Sequence, residues 1–379
     1  MGWQCLFAFI EERKSFNQAI IYAMRIVIKI GSNVLARAAG GLDITRMSHL
    51  VDQIAELRRR GVEVIMVSSG AVAAGRALLK TDKQLDSVEQ RQLFSAIGQT
   101  KLINHYYDLF REYGLHVGQV LTMKENFGTR HEYLNQRACM QVMLENGVIP
   151  IVNENDTVSV TELMFTDNDE LSGLIATMLG ADELIILSNI DGIYNGSPKD
   201  PEARVIPRVE PGRDLAEYIQ TEKSGLGRGG MITKCNIARK VADEGIRVII
   251  ANGKTDNILL RLFDDPQGTL HTEFVPRPDA ASPVKKWIAH SESFAKGIVK
   301  VNERAAKALC SDKAVSLLLV GVTDIEGDFE EGDIVNILTP EGKRIAVGRS
   351  AFSSDVARTL IGQHDQKPLV HYDYLAILG

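Results

Sequence analysis

The chain has 379 residues, 45% of them hydrophobic and 24% charged, with a formal net charge of −6 at pH 7. That length exceeds what one hydrophobic core fills, so two domains are expected, and the acidic balance gives no general attraction to nucleic acid. No apolar run approaches the ~20 residues that a membrane helix needs, and Cys5, Cys139, Cys235 and Cys310 lie far apart without a Cys-x-x-Cys pair, which disfavours a zinc site or disulfide framework and fits a reducing cytoplasm.

In chain order, residues 1–23 hold a short apolar run, LFAFI, followed by EERK and preceded by no basic segment, so a secretory signal is not expected. Met24 stands directly before the first convincing strand, and residues 1–23 are read as a non-catalytic extension. From Arg25 onward, short β-branched runs alternate with helical periodicity, the pattern of βαβ units. RIVIKI reads as the first buried strand. Met47, Leu50, Val51, Ile54 and Leu57 form a helical stripe, VEVIMVSS is the second strand, and a long helical region runs from about Ser87 to Tyr113. HVGQVLT, VIPIVNEN, ELIILSN and RVIIANG supply further strands, with helices over Leu171–Leu179 and Met231–Ala242 between them. The expected fold class is α/β, an open, mainly parallel sheet sandwiched by helices over residues 24–275.

PRPDAASP then reads as a linker over 276–284. Residues 285–379 carry short strands between Gly-containing turns, from KKWIAH to VHYDYLAIL, with one helix at Glu303–Leu309, and predict a small β-rich second domain.

In an open parallel sheet, ligands bind outside the carboxyl ends of the strands. Those ends are polar here: Lys29-Ile-Gly-Ser after the first, Ser69-Gly70-Ala71 after the second, Asn153-Glu-Asn-Asp156 after the fourth, Ser188-Asn189 after the fifth. Lys29 lies within an apolar strand, where a lysine needs a negative partner or a solvated face. Lys234 falls in the first turn of a helix, a position that favours an anion or carries only a solvated charge. Two such lysines converging point toward phosphate. The run Asp167-Asn168-Asp169 opens another helix, as an ordinary N-cap would, yet offers more polar groups than one cap requires. The stretch SGLGRGGMITK matches G-x-G-x-x-G at Gly225, Gly227 and Gly230, but no strand precedes it, so the dinucleotide fingerprint lacks its context. With no Gly-Lys-Ser/Thr after the glycines it is no Walker A loop either, and as residues alone it could be a plain surface loop.

Together the stretches VIKIGSNVL, VSSGAVAAGR, VNENDTV, TDNDELSGLIATMLGAD and SGLGRGGMITK, in this order, resemble the glutamate 5-kinases of the amino acid kinase family, over Arg25 to about Gly268. The tail from about Pro283, with GVTDIEGDFEEGDIV, resembles a PUA domain. The resemblance implies transfer of the ATP γ-phosphoryl group, with Mg2+, to the side-chain carboxylate of L-glutamate, the first step of proline biosynthesis. It implies Lys29 and Lys234 as the cations on the migrating group and Asp169 as the residue that positions them. Ser69, Gly70, Ala71, Asp156, Asn168 and Asp167 match the glutamate-binding positions. Ser188, Asn189, Arg228, Gly229, Gly230, Met231, Ile232, Thr233 and Lys234, with Lys29, match the nucleotide-binding ones, and no residue is assigned as a metal ligand. Two departures stand out: Ser188-Asn189 replaces the usual Thr-Asp, and Arg228 replaces an uncharged residue in the loop, both making the site more positive. The resemblance further implies feedback inhibition by proline and a homotetramer. A sibling kinase with another acceptor is the nearest alternative; RNA binding through the PUA-like domain is the other, against which the acidic balance argues.

Overall fold

The structure is a computed structural model that describes residues 24–379 apart from 38–39, 82–83, 129, 159–164, 166, 198–199, 214, 216–230, 279–294, 312–314, 365 and 379. The extension 1–23, most of the linker, KKWIAH and the loop from Ser224 to Gly230 therefore lie outside the described residues. The first unit contains, in order, β1 (Arg25–Ile30), α1 (Ser32–Leu35), α2 (Ile44–Arg59), β2 (Glu63–Ser68), α3 (Ala71–Leu78), α4 (Ser87–Arg111), β3 (Val117–Thr122), α5 (Arg130–Glu145) and β4 (Ile149–Glu154). It continues with α6 (Asn168–Leu179), β5 (Glu183–Ser188), β6 (Arg208–Val209), α7 (Met231–Asp243), β7 (Arg247–Asn252), α8 (Ile258–Asp264) and β8 (His271–Phe274).

These strands form one sheet in the order β3-β4-β2-β1-β5-β7-β8-β6. From β3 to β7 neighbouring strands run parallel; β8 pairs antiparallel with β7 and parallel with β6. The expected open, mainly parallel sheet is present. The two reversed strands escaped the sequence reading because two and four residues are too few to establish a period. The central strands are buried on both faces, as their unbroken β-branched runs require.

Alternation along β1 sends Ile26, Ile28 and Ile30 into a core shared with α2, α4 and α8, and Val27 into the opposite core with α5, α6 and α7. Lys29 shares the parity of Val27, so its side chain rises on the α6 and α7 face. At the far, N-terminal ends of the strands, Arg25 pairs with Glu63, and Arg247 with Glu183 and Glu273. That end is closed by ion pairs.

Helix α4 starts at a capping box in which the Asp86 side chain accepts from Val88 and Glu89 backbone N–H groups. It crosses α3 almost backbone to backbone. A Cβ added at Gly75 would stand 1.8 Å from the Phe94 carbonyl oxygen, and one at Gly98 would stand 1.8 Å from the Ala71 carbonyl oxygen. The crossing fixes the β2–α3 turn against the side chains that α4 carries.

The second unit holds β9 (Gly297–Val301), α9 (Glu303–Leu309), β10 (Val322–Glu326), β11 (Ile334–Leu338), β12 (Arg344–Arg349), α10 (Ser354–Thr359) and β13 (Leu375–Ile377). Its sheet order is β10-β9-β11-β12-β13, around a core that includes Val299, Val301, Val335, Ile337 and Leu369. Helix α9 spans the residues expected from the sequence.

Candidate active site

The carboxyl ends of β1, β2, β4 and β5 converge on the start of α6. Asp167 caps that helix, its Oδ1 accepting from the backbone N–H groups of Asp169 at 2.8 Å and Glu170 at 3.1 Å. The cap turns Asp169 inward, where it is fully buried. Both of its oxygens meet a cation: Lys29 Nζ lies 2.5 Å from Oδ1, and Lys234 Nζ lies 2.5 Å from Oδ2. Two lysines 205 positions apart in sequence thus meet on one carboxylate. Lys29 arrives from β1, where it pairs in register with Val67 and Ile186, and Lys234 from the first turn of α7.

Burial disfavours the ionised form of Asp169, but the charges of Lys29 and Lys234 outweigh it and hold the carboxyl down at about 2. Burial pushes the neighbouring Asp167 carboxyl up to about 6, with the Asp169 charge adding to the shift and the two lysines opposing it. Asp167 Oδ2 is buried without a hydrogen-bond partner among the described residues. Cys235, next to Lys234, is pushed up to about 12 by burial, which leaves it an inert core thiol.

Beside this ion triad runs a chain of amides and hydroxyls. Asn168 Nδ2 donates to Ser69 Oγ at 2.9 Å and to Asn153 Oδ1 at 2.9 Å. Asn153 Nδ2 in turn donates to Gln99 Oε1 on α4 at 2.8 Å. Gly70, at φ 107°, takes the left-handed conformation that ends the β2 turn and starts α3 with the buried Ala71. Asp156, just beyond β4, forms an ion pair with Arg91 Nε of α4 at 2.8 Å. The structure brings Lys29, Lys234, Asp169, Asp167, Asn168 and Ser69 together through direct contacts, with Asp156 at the adjoining strand end.

Ser188 ends β5, the strand beside β1, and Asn189 follows it; Ser188 is buried and its carbonyl accepts from the Gly253 N–H at 2.8 Å. Asp191 then joins β5 to β7, accepting from Asn252 Nδ2 at 2.9 Å and from the Tyr194 hydroxyl at 3.0 Å. Met231, Ile232 and Thr233 form the first turn of α7, with Ile232 exposed. Arg228, Gly229 and Gly230 lie outside the described residues.

Sequence reasoning did not assign Arg91, Gln99 or Asn153. Asn153 had a signal in the polar run after VIPIV. Arg91 and Gln99 had none, since polar residues on a long amphipathic helix read as its solvated face.

Residues 24–252 match the family model described as the amino acid kinase family. The chain belongs to the amino acid kinase family. Residues 297–372 of this kinase match the PUA domain. Over 353 residues it is 65% identical to a glutamate 5-kinase of Bacteroides thetaiotaomicron, covering 93% of this chain and 98% of that one. Over 360 residues it is 46% identical to a glutamate 5-kinase of Chlorobaculum tepidum, covering 93% of this chain and 97% of the relative. The solved structure of carbamate kinase from Giardia lamblia bound to AMP-PNP shares the fold, with a TM-score of 0.50 at 15% identity, over 68% of this chain and 99% of that one. Membership in this family makes the protein a kinase that uses ATP.

Proposed function

We propose that this kinase transfers the γ-phosphoryl group of ATP to the side-chain carboxylate of L-glutamate, giving L-glutamyl 5-phosphate, the first intermediate of proline biosynthesis. The observation that carries the mechanism is the pair of ammonium groups held on the two oxygens of buried Asp169. A carboxylate acceptor is already ionised at neutral pH and needs no general base. What the reaction needs is neutralisation of the charge that builds on the migrating group. Lys29 and Lys234 supply that charge from a strand and a helix; Asp169 fixes their tips and leaves each ammonium with donors to spare. Magnesium is assigned to the substrate, travelling with the triphosphate. Ser188, Asn189 and the segment Arg228 to Lys234 hold the nucleotide in this reading, on the β5 side of the lysines.

Glutamate lies on the β2 and β4 side. The amide nitrogen of Asn168 is committed to Ser69 and Asn153, so its oxygen is the acceptor facing the ligand. The bare backbone of Gly70 and Ala71 admits the substrate closely, and Asp156 with Asp167 gives the negative potential for its ammonium. Residues 24–275 form the catalytic unit, 276–284 the link, 285–379 the appended domain and 1–23 a non-catalytic extension. Proline feedback, a homotetramer and a cytoplasmic setting belong to the same reading.

Incubation with ATP, Mg2+ and hydroxylamine tests it: glutamate should give hydroxamate, and aspartate, N-acetylglutamate, carbamate or UMP little phosphoryl transfer. A better acceptor than glutamate would reassign the substrate.

The raised Asp167 carboxyl predicts a pH effect. Because its folded value lies near 6, above the ordinary 3.8, the ionised form is the costly one, and that cost to stability is relieved as pH falls through about 6. Binding has the opposite sign, since the substrate ammonium needs the carboxylate charged. The KM for glutamate should therefore rise as pH falls through about 6, and Asp167→Asn should flatten that limb; an unchanged profile in the variant would exclude Asp167 as its source.

A further inference from the structure

Arg91 sits in the second turn of α4 and points into the same strand end as Gln99, two turns further along. Its guanidinium is largely buried, with the side chain 13% exposed, and it meets two carboxylates unequally. Nε stands 2.8 Å from Asp156 Oδ1, a close ion pair, whereas Nη2 stands 3.9 Å from Glu154 Oε1, beyond hydrogen-bond range. Nη2 is buried and has no hydrogen-bond partner among the described residues. An arginine carries five N–H donors in a planar fork suited to a carboxylate, and a buried donor left empty is a standing cost. The neighbouring residue fixes the helix in place: Gln92 Nε2 donates to the Thr157 carbonyl at 3.1 Å.

An α-amino acid presents an ammonium and a carboxylate on the same carbon, and Arg91 beside Asp156 is the complementary pair on the protein. We propose that Arg91 determines specificity for the acceptor's α-carbon: Nη2 binds the α-carboxylate while Nε holds Asp156 toward the α-ammonium. This rests on the reading that the site takes an α-amino acid whose distal carboxylate reacts at Lys29 and Lys234. The guanidinium then separates the two carboxylates of the substrate, so that only the far one meets the phosphoryl group.

The test compares L-glutamate with 4-aminobutyrate, which keeps the ammonium and the reacting carboxylate but lacks the α-carboxylate. In Arg91→Met the KM for glutamate should rise on the order of 10- to 100-fold, the loss of one or two charge-assisted bonds. The kcat and the KM for ATP should stay within about threefold, and the Ki of 4-aminobutyrate as a competitor should rise far less than the glutamate KM, because that ligand never used the α-carboxylate contact and loses only the orientation of Asp156. Arg91→Lys, which restores a charge without the fork, should recover part of the glutamate affinity, and should decide the question alone if the methionine variant fails to fold. Equal weakening of both ligands would reduce Arg91 to an orienter of Asp156, and an unchanged glutamate KM would remove it from the site; either result overturns the proposal. A wild-type protein that phosphorylates no glutamate would instead remove the reading on which it rests.

Discussion

Methionine in place of Lys29 or of Lys234 should lower kcat by about 100- to 1000-fold, the usual effect of losing one preorganised donor to a developing charge, and leave the glutamate KM within a few-fold. Methionine matches the length of lysine, and Lys29 is buried within a strand where a thioether packs without a hole. The fold should therefore persist with a lowered melting temperature, since Asp169 keeps one of its two lysines, and a rate lost well below that temperature would be chemical. The two lysines share one carboxylate and, in the proposed mechanism, act on one phosphoryl group, so the double variant should be little worse in rate than either single one. Groups that act as a unit are strongly non-additive. Near-normal turnover in either single variant would remove that lysine from the mechanism, and full additivity would separate the pair.

Asp169→Asn should damage both stability and rate. The substitution keeps the shape and cap of α6 but leaves two ammonium groups against a neutral amide in a fully buried place. Breaking a buried ion pair from one side costs about 3–5 kcal/mol, and urea unfolding should read a loss of that order. The sign of the pH dependence follows from a carboxyl held at about 2 against an ordinary 3.8. Its stabilisation is complete above the higher value and is lost only as pH falls through the lower. The Asp169 contribution to the gap between wild type and variant should thus be constant above about pH 5, while the Asp167 carboxyl, which loses the Asp169 charge in the variant, adds a slope of its own near pH 6. ATP should narrow the gap, because triphosphate replaces the missing negative charge and binding to the folded state stabilises by mass action. The kcat should fall by about 100-fold or more, since the lysine tips lose their common anchor. A variant as stable and as fast as wild type would mean that Asp169 neither holds the lysines nor needs to.

The main sheet was legible because β1, β2, β4, β5 and β7 each run six residues, nearly all buried, and burial on both faces writes a continuous apolar run. Helix α9 was equally plain. The short reversed strands β6 and β8 were not, since their pairing is decided by β7 and by each other rather than by a local pattern. At the site, Lys29 announced itself as a charge inside an apolar strand, and the Asp167-Asn168-Asp169 run as more polarity than a cap uses. Arg91 and Gln99 gave no such sign, because the surface of α4 that faces β4 looks, in one dimension, like a face that meets water.

By itself the sequence determined the alternation of strands and helices, the polar residues that end each strand, and the family to which their order belongs. These are local properties: burial sets the apolar runs, and caps and turns set the residues between them. The tertiary structure alone decided which of those residues share a space. That Lys29 and Lys234 end on opposite oxygens of Asp169, and that Arg91 reaches Asp156 while its Nη2 has no hydrogen-bond partner among the described residues, depends on strand order β4-β2-β1-β5 and on two glycines that let α3 and α4 touch. Distance between residues far apart in the chain is fixed by packing, which no single stretch encodes.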